Sequence, residues 1–357
     1  MEQHVQEFKC PGCGAMLEFD ATTQNLKCPY CDTEIALDMV QMTENETEEG
    51  LWEPMSAGEW KEGETENMRV YACRSCGGEI IADKSMGATN CPYCGNQVVV
   101  KEQFEGDLRP DFIIPFKHDR NAAKEAYRKH LQGKQFLPPF FKSNAHIDEL
   151  KGIYVPFWLY DADVEMDASY TGEMIRTYRE GEYDCREIKS YRMDRKGVIT
   201  FTHVPVDGSS KINDVLMESI EPYDESGLVE FKPAYLAGYL ADRYDVPQEK
   251  CIERAQERMQ RSCEYSFRST CNDFSSVNVD RSDMTVLSSK YWYALYPVWL
   301  LNTTWNGQKY TFAMNGQTGQ MIGDLPADSG AYWKYVGIRA LIFGVILYAL
   351  TWIFTLM

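Results

Sequence analysis

The sequence predicts an α+β fold in three parts: two small cysteine-rich units at the N-terminal end, a central mixed α/β-strand domain, and a C-terminal helix of membrane length. Three observations predict it. A four-cysteine pattern occurs twice before residue 95, helix-like and strand-like segments alternate through the middle, and the last 18 residues carry no charge. The expected boundaries are 1–40 for the first cysteine unit, 41–69 for an acidic linker, 70–106 for the second unit, 107–326 for the central domain, and 327–357 for a juxtamembrane segment and helix.

The first unit reads Cys10-Pro-Gly-Cys13-Gly and then Cys28-Pro-Tyr-Cys31-Asp; the second reads Cys73-Arg-Ser-Cys76-Gly and then Cys91-Pro-Tyr-Cys94-Gly. In both, 14 residues separate the two CxxC pairs, so the units are copies of one pattern. A CxxC turn sets two thiolates on one edge of a metal, and a second turn completes the tetrahedron. The pattern therefore predicts two zinc ribbons, each with a closed, structural site of four cysteines. Rubredoxin-like iron, held by similar knuckles, is the rival metal, and a disulfide framework is the alternative without metal. Gly14, Gly77 and Gly95 follow the second cysteine of a pair, where a left-handed backbone is commonly needed, and Asp32 takes that place in the remaining knuckle. Met16–Phe19 and Glu79–Ala82 read as short strands. Neither unit has enough apolar residues to fold alone, so metal is expected to supply stability.

Charge narrows the function. The chain carries a formal −18, and residues 1–106 hold 7 Lys/Arg against 20 Asp/Glu. Nucleic-acid surfaces cluster cations against phosphates, so nucleic acid is not the expected partner. The stretch Gln41 to Arg69 is glutamate-rich and reads as a mobile linker; Trp52 and Trp60 within it are expected to pack on a ribbon rather than dock a partner. Met1–Asp20 show no signal-peptide pattern. The soluble parts are then expected in the reducing cytosol, which agrees with cysteines serving as metal ligands.

Ala340–Met357, ALIFGVILYALTWIFTLM, would form a helix about 27 Å long, close to bilayer hydrocarbon thickness. Every face of it is apolar, whereas a soluble core helix usually keeps a polar stripe. Val336–Ile338 add a turn if Arg339 snorkels, so residues 336–357 are expected to contact lipid. Tyr332, Trp333 and Tyr335 fall at one interface and Trp352 at the other. Lys334 and Arg339 precede the span and nothing basic follows it, which places the ribbons in the cytoplasm of a single-pass, tail-anchored protein.

In the middle, Asp111–Phe116, Gly152–Tyr160, Tyr293–Thr304 and Lys309–Asn315 read as strands, with more strands through Met193 and Phe201. Helices are expected over Arg120–Leu131 and after Pro247, the latter with Cys251, Ile252, Ala255 and Met259 on one face. Val155-Pro156-Phe157-Trp158-Leu159-Tyr160 echoes Tyr296-Pro297-Val298-Trp299-Leu300-Leu301, which suggests an internal repeat; proline there suggests edge or strand-start positions. Asn315–Gly319 reads as a turn. The sequence holds no GxxxxGK[ST], GxSxG or HExxH motif. Its five histidines share no ligand spacing, and Cys185, Cys251, Cys263 and Cys271 read as buried free thiols. No enzyme is expected and no catalytic or cofactor-binding residue is assigned.

With these features the chain resembles a bacterial membrane-anchored double zinc-ribbon family, most specifically at Cys73–Gly95, Ile153–Tyr160 and Tyr296–Pro326. Its members are often labelled TFIIB-type zinc-ribbon or primosomal protein N′-like helicase. The resemblance implies eight zinc ligands: Cys10, Cys13, Cys28, Cys31, Cys73, Cys76, Cys91 and Cys94. It also implies a membrane system that includes an SPFH-domain partner and a PspA-like partner. A helicase activity is not expected without a phosphate loop. The expected function is a cytoplasmic-face adaptor that recruits or scaffolds protein partners at the membrane. A membrane-tethered nucleic-acid-binding protein and an iron redox module are the alternatives.

Overall fold

A computed structural model describes residues 10, 15, 17–31, 33–35, 58, 60–61, 63–65, 68–83, 90–101 and 108–356, with the side chains of 349–351 and 353–356 left aside. Cys13, Gly14, Met16, Asp32 and Trp52 lie outside the described residues. The elements run β1 (Glu18–Asp20), β2 (Asn25–Lys27), β3 (Glu34–Ile35), β4 (Met68–Ala72), β5 (Glu79–Asp83), β6 (Val99–Lys101), β7 (Phe112–Ile113), α1 (Arg120–His130), α2 (Asn144–Ile147), β8 (Lys151–Glu180) and β9 (Tyr183–Asp207). They continue with α3 (Asp214–Ser219), β10 (Val229–Glu230), β11 (Leu240–Asp242), α4 (Gln248–Ser269), β12 (Ser276–Trp305), β13 (Gln308–Asn315), β14 (Met321–Gly323) and α5 (Ser329–Leu356).

The α+β class holds. β1–β2–β3 form one small sheet, and the remaining strands join a mixed sheet whose path runs β10-β7-β12-β8-β11-β5-β4-β6. The second cysteine unit is thus the end of the central sheet, joined through antiparallel β11–β5 pairing, rather than a module beside it. At the centre, β8 and β12 are buried on both faces, which explains the unbroken apolar run GIYVPFWLY. Ile153, Val155, Phe157 and Leu159 pack on one face with Cys73, Cys91 and Tyr93 of the second unit. Tyr154, Trp158 and Tyr160 pack on the other with α1, α4 and Leu17, Phe19 and Leu26 of the first unit. The first cysteine unit therefore braces one face of the sheet, while the second continues the sheet and turns its buried cysteines to the other face.

The sequence echo is a structural repeat. Val155 and Tyr296 are directly opposite each other in the β8–β12 register, as a local two-fold axis through that pair requires. β11 runs parallel to β8 with Leu240 opposite Ile153, and β7 runs parallel to β12 with Phe112 opposite Ala294. β9 and β13 then add antiparallel partners, Asp207 opposite Phe157 and Asn315 opposite Val298. The fine contacts repeat as well. Gly208 N donates to Pro156 O at 2.9 Å and Gly316 N to Pro297 O at 2.8 Å. Trp158 Nε1 donates to Val246 O and Trp299 Nε1 to His118 O, each at 2.9 Å. Tyr244 meets Trp158 and Phe116 meets Trp299, each with ring centroids 5.3 Å apart. Each half thus consists of a short parallel strand, a helix and a long strand, and its short strand pairs with the other half's long strand.

Several expectations are corrected. Pro156 and Pro297 are neither at edges nor at strand starts; each sits inside a central strand where one neighbour gives way to the next, so the missing N–H leaves no ladder bond unmade. Ile252 is 39% exposed, because α4 buries Cys251, Ala255, Met259 and Cys263 and the next residue lies about 100° round the helix. Trp60 meets Phe231 of the central domain at 5.7 Å and packs on the core cluster that also holds Leu17, Phe19 and Leu26 of the first unit. Cys185 is only partly buried, because it lies in β9 where the β8–β9 hairpin runs out beyond the core; Cys251, Cys263 and Cys271 are buried as expected. The strand expected over Asp111–Phe116 is confined to Phe112–Ile113.

Several residues of the expected linker belong to the fold. Glu64 is buried and takes two bonds from the Arg109 guanidinium, at 2.9 and 3.1 Å, while Arg109 also donates to Phe231 O at 3.0 Å. A bidentate arginine is what lets a carboxylate be buried there. Met68 and Arg69 already belong to β4. At the other end, α5 leaves the body: its candidate span, Ser329–Tyr348, is 0% buried, and it is long and apolar enough to cross a membrane.

Candidate metal centre

Cys73, Cys76, Cys91 and Cys94 meet with all four sulfurs within 4.8 Å of one another. Cys73 Sγ lies 3.4 Å from Cys94 Sγ, and Cys76 Sγ lies 3.6 Å from Cys91 Sγ. A tetrahedron with bonds of about 2.3 Å has edges of about 3.8 Å, whereas a disulfide is about 2.05 Å long. The cluster therefore has the size of a tetrathiolate metal site, with no bridge formed. The knuckles make the shape: Gly77 N donates to Cys73 O at 2.8 Å and Gly95 N to Cys91 O at 3.0 Å, with φ of 71° and 75° at the two glycines. Both left-handed positions expected from the sequence are present.

In the first unit, Cys10, Cys28 and Cys31 converge in the same way, with Cys10 Sγ 3.4 Å from Cys31 Sγ. The fourth expected ligand, Cys13, lies outside the described residues. Thr33, through its hydroxyl and its backbone, lowers the Cys31 thiol to about 6. In the second site burial acts against ionisation of Cys94, yet bonds from the Asn96 backbone, Cys73 and the Asn96 side chain bring it to about 6 as well. Burial pushes Cys76 and Cys91 up. A bound cation would compensate the cost of ionising the buried Cys76 and Cys91 thiols. Both donor sets are all-sulfur, which suits zinc or iron.

The two CPYC knuckles differ sharply in surroundings. Tyr30 is 82% exposed, while Tyr93 is buried. The second knuckle is pinned from behind, with Lys151 Nζ on Asn90 O at 2.8 Å and Asn302 Nδ2 on Pro92 O at 2.7 Å. The first unit docks by its sheet instead: Phe19 N donates to Ala237 O at 3.0 Å, and the Phe19 ring meets Tyr235 at 5.1 Å.

The chain is 32% identical over 326 residues to YdjG of Bacillus subtilis (strain 168), described as uncharacterized, covering 91% of this chain and 92% of that protein. The chain belongs to the YdjG family. No protein-family model matches it. No solved structure matches it either. The match extends over nearly the full length of both proteins rather than over one module.

Sequence reasoning missed a buried acidic cluster behind Tyr93. Asp207 Oδ2, Asp242 Oδ1 and the Tyr93 hydroxyl are buried with no well-formed hydrogen bond among the described residues, although Tyr93 and Asp242 are close enough to interact. Ser209 Oγ donates to Asp242 Oδ2 at 2.5 Å, and Ser209 N donates to Asp207 Oδ1 at 2.9 Å. The repeat shows how unusual this is, since the counterparts of Asp207 and Asp242 are Asn315, which donates to Ile220 O at 2.9 Å, and apolar Ile114. Burial raises Asp242 to about 7, and burial, reinforced by the Asp242 charge, raises Asp207. An acid whose folded pKa lies above its unfolded value binds more protons when native, so its ionisation costs stability as pH rises. For Asp242 the cost grows between about pH 4 and pH 7 and is complete above. Asp242→Asn is expected to gain on the parent by on the order of 2 kcal/mol between pH 5 and pH 8, measured by urea unfolding at each pH. A gap that stays constant or shrinks with rising pH would show that folding does not oppose ionisation of Asp242. Only the neighbouring Asp-Gly and Asn-Gly pairs, aligned through the repeat, hint at this cluster in the sequence.

Proposed function

We propose that the chain is a membrane-anchored adaptor: α5 crosses the bilayer, two zinc-stabilised ribbons hold an acidic head at the cytoplasmic face, and the head recruits protein partners. The observation that carries this reading is Tyr30, 82% exposed on a metal knuckle. An aromatic presented on a rigid turn is the kind of anchor that dominates protein interfaces, because its area is buried at little entropic cost. Its counterpart Tyr93 is consumed by the fold, so the exposure of Tyr30 is not demanded by the motif itself. The all-thiolate sites support a structural role for the metal. An SPFH-domain protein and a PspA-like protein are the first partners to seek.

The test is crosslinking in intact membranes followed by purification in mild detergent and mass spectrometry. A stable protein partner is expected, with capture falling at least tenfold in Tyr30→Ala, since hot-spot aromatics are worth about 2 kcal/mol or more. Recovery of no protein partner sinks the adaptor reading. A salt-dependent DNA or RNA complex of the same protein would replace it with nucleic-acid binding. Elemental analysis of the purified protein separates zinc from iron.

A further inference from the structure

The acidic chain has a basic foot. Between Arg120 and Lys142 there are six Lys/Arg and one acidic residue, in a protein whose net charge is −18. Lys124 is used internally, on Asp148 at 2.6 Å, and Arg120 donates to Asp148 O. Arg128, Lys129, Lys134 and Lys142 are all exposed and form no ion pair with a described residue.

The fold carries this segment to the place where α5 begins. α1 ends with Arg128, Lys129 and His130 in its last turn, and the chain reverses at Gly133, φ 74°. Phe136 O then accepts a bond from Asp328 N at 2.7 Å, beside the first turn of α5. The Phe136 ring meets the rings of Tyr332 and Tyr335, each at 5.4 Å. Tyr335 in turn lies under the Arg339 guanidinium at 5.0 Å. From Asp328 to Tyr335 the helix rises about 10 Å, comparable to the polar layer of one leaflet. Exposed Lys334 lies at the same level and Arg339 about one turn farther along, while Glu125, Asp148 and Asp324 are exposed acidic residues near the foot.

We propose that Arg128, Lys129, Lys134 and Lys142, with Phe136 as an interfacial wedge, form a collar that binds anionic phospholipid headgroups around the start of α5. The inference rests on α5 crossing a bilayer. Its occupant is set by charge and by continuity: in sequence the cations flank Phe136, which holds the start of α5, where an apolar helix leaves the body and the next surface is lipid. Such a collar holds the head close to the membrane although the protein's overall charge is repelled by an anionic leaflet. Each lysine or arginine near such a surface contributes about a fivefold preference, from about 1 kcal/mol per residue and 1.4 kcal/mol per decade.

The test uses the full chain in nanodiscs of phosphatidylcholine, or of phosphatidylcholine and phosphatidylglycerol at three to one, read by amide hydrogen exchange. Exchange in residues 128–142 is expected to slow at least fivefold with phosphatidylglycerol, and the effect to vanish at high salt and in R128Q/K129Q/K134Q/K142Q. Protection of α5 and of the core sheet in the variant shows that insertion and folding are intact. Equal exchange in both lipids with α5 protected overturns the collar alone; an unprotected α5 overturns the span and the collar with it. Protection of 128–142 by added single-stranded RNA equal to that by phosphatidylglycerol overturns the lipid assignment.

Discussion

Cys91→Ser is expected to lower the metal content by one equivalent per chain and to melt more than a ribbon. A closed thiolate site carries an apparent binding free energy of about 10–16 kcal/mol, as large as the whole stability of a typical domain. Cys91 and Cys73 lie in the same buried cluster as Ile153, Val155 and Leu159 of β8. β5 is also hydrogen-bonded to β11, which pairs with β8. Loss of the second site should therefore raise amide exchange along β4, β5 and β11 and into the start of β8. Cys31→Ser should also remove one equivalent but spare that sheet, because β1–β3 form a sheet of their own. Unchanged metal stoichiometry in Cys91→Ser would refute the site; equal spread of exchange in the two variants would refute the asymmetry.

Trp158→Ala and Trp299→Ala are expected to cost about 3–5 kcal/mol each, the usual range for removing a buried tryptophan. Both indoles are buried, and each ties its half to the other by a bond to the backbone just before the other half's helix, at Val246 and at His118. The conservative Trp158→Phe and Trp299→Phe keep most of the packing and lose that bond, for about 0.5–1.5 kcal/mol each. Urea unfolding in detergent reads all four variants. The repeat makes a sharper demand than large effects alone: equivalent substitutions should agree within about 1 kcal/mol, since the backbone bond, the ring at the Tyr244 and Phe116 positions and the burial correspond. A disagreement of several kcal/mol would mean that the two halves share a path of the chain but not its energetics.

The four-residue echo Pro-x-Trp-Leu was visible in the sequence, whereas the duplication behind it was not. The two halves have diverged at nearly every position between their equivalent contacts, and what they keep is a pattern of backbone bonds that many sequences satisfy. The Asp207-Gly208 and Asn315-Gly316 turns are the exception, and they become recognisable only when the strand register aligns them. Phe112–Ile113 and Leu240–Asp242 are too short to read as strands without their partners, yet they are the swapped strands that interlock the halves. The acidic composition of residues 41–69 pointed to a linker; the buried Glu64–Arg109 pair depends on a residue 45 positions away.

What the sequence by itself determined is local chemistry. CxxC spacing dictates a metal-sized cluster because two turns of fixed geometry leave few other ways to place four sulfurs, and an uncharged apolar run of membrane length dictates α5 because every face of that helix is apolar. What only the tertiary structure decided is how these pieces join. It set the first ribbon against one face of the sheet and made the second an extension of it, exposed Tyr30 while burying Tyr93, set Asp207 and Asp242 together, and brought the basic foot beside α5. Those outcomes depend on strand pairings and packing between residues far apart in the chain, which no local spacing encodes.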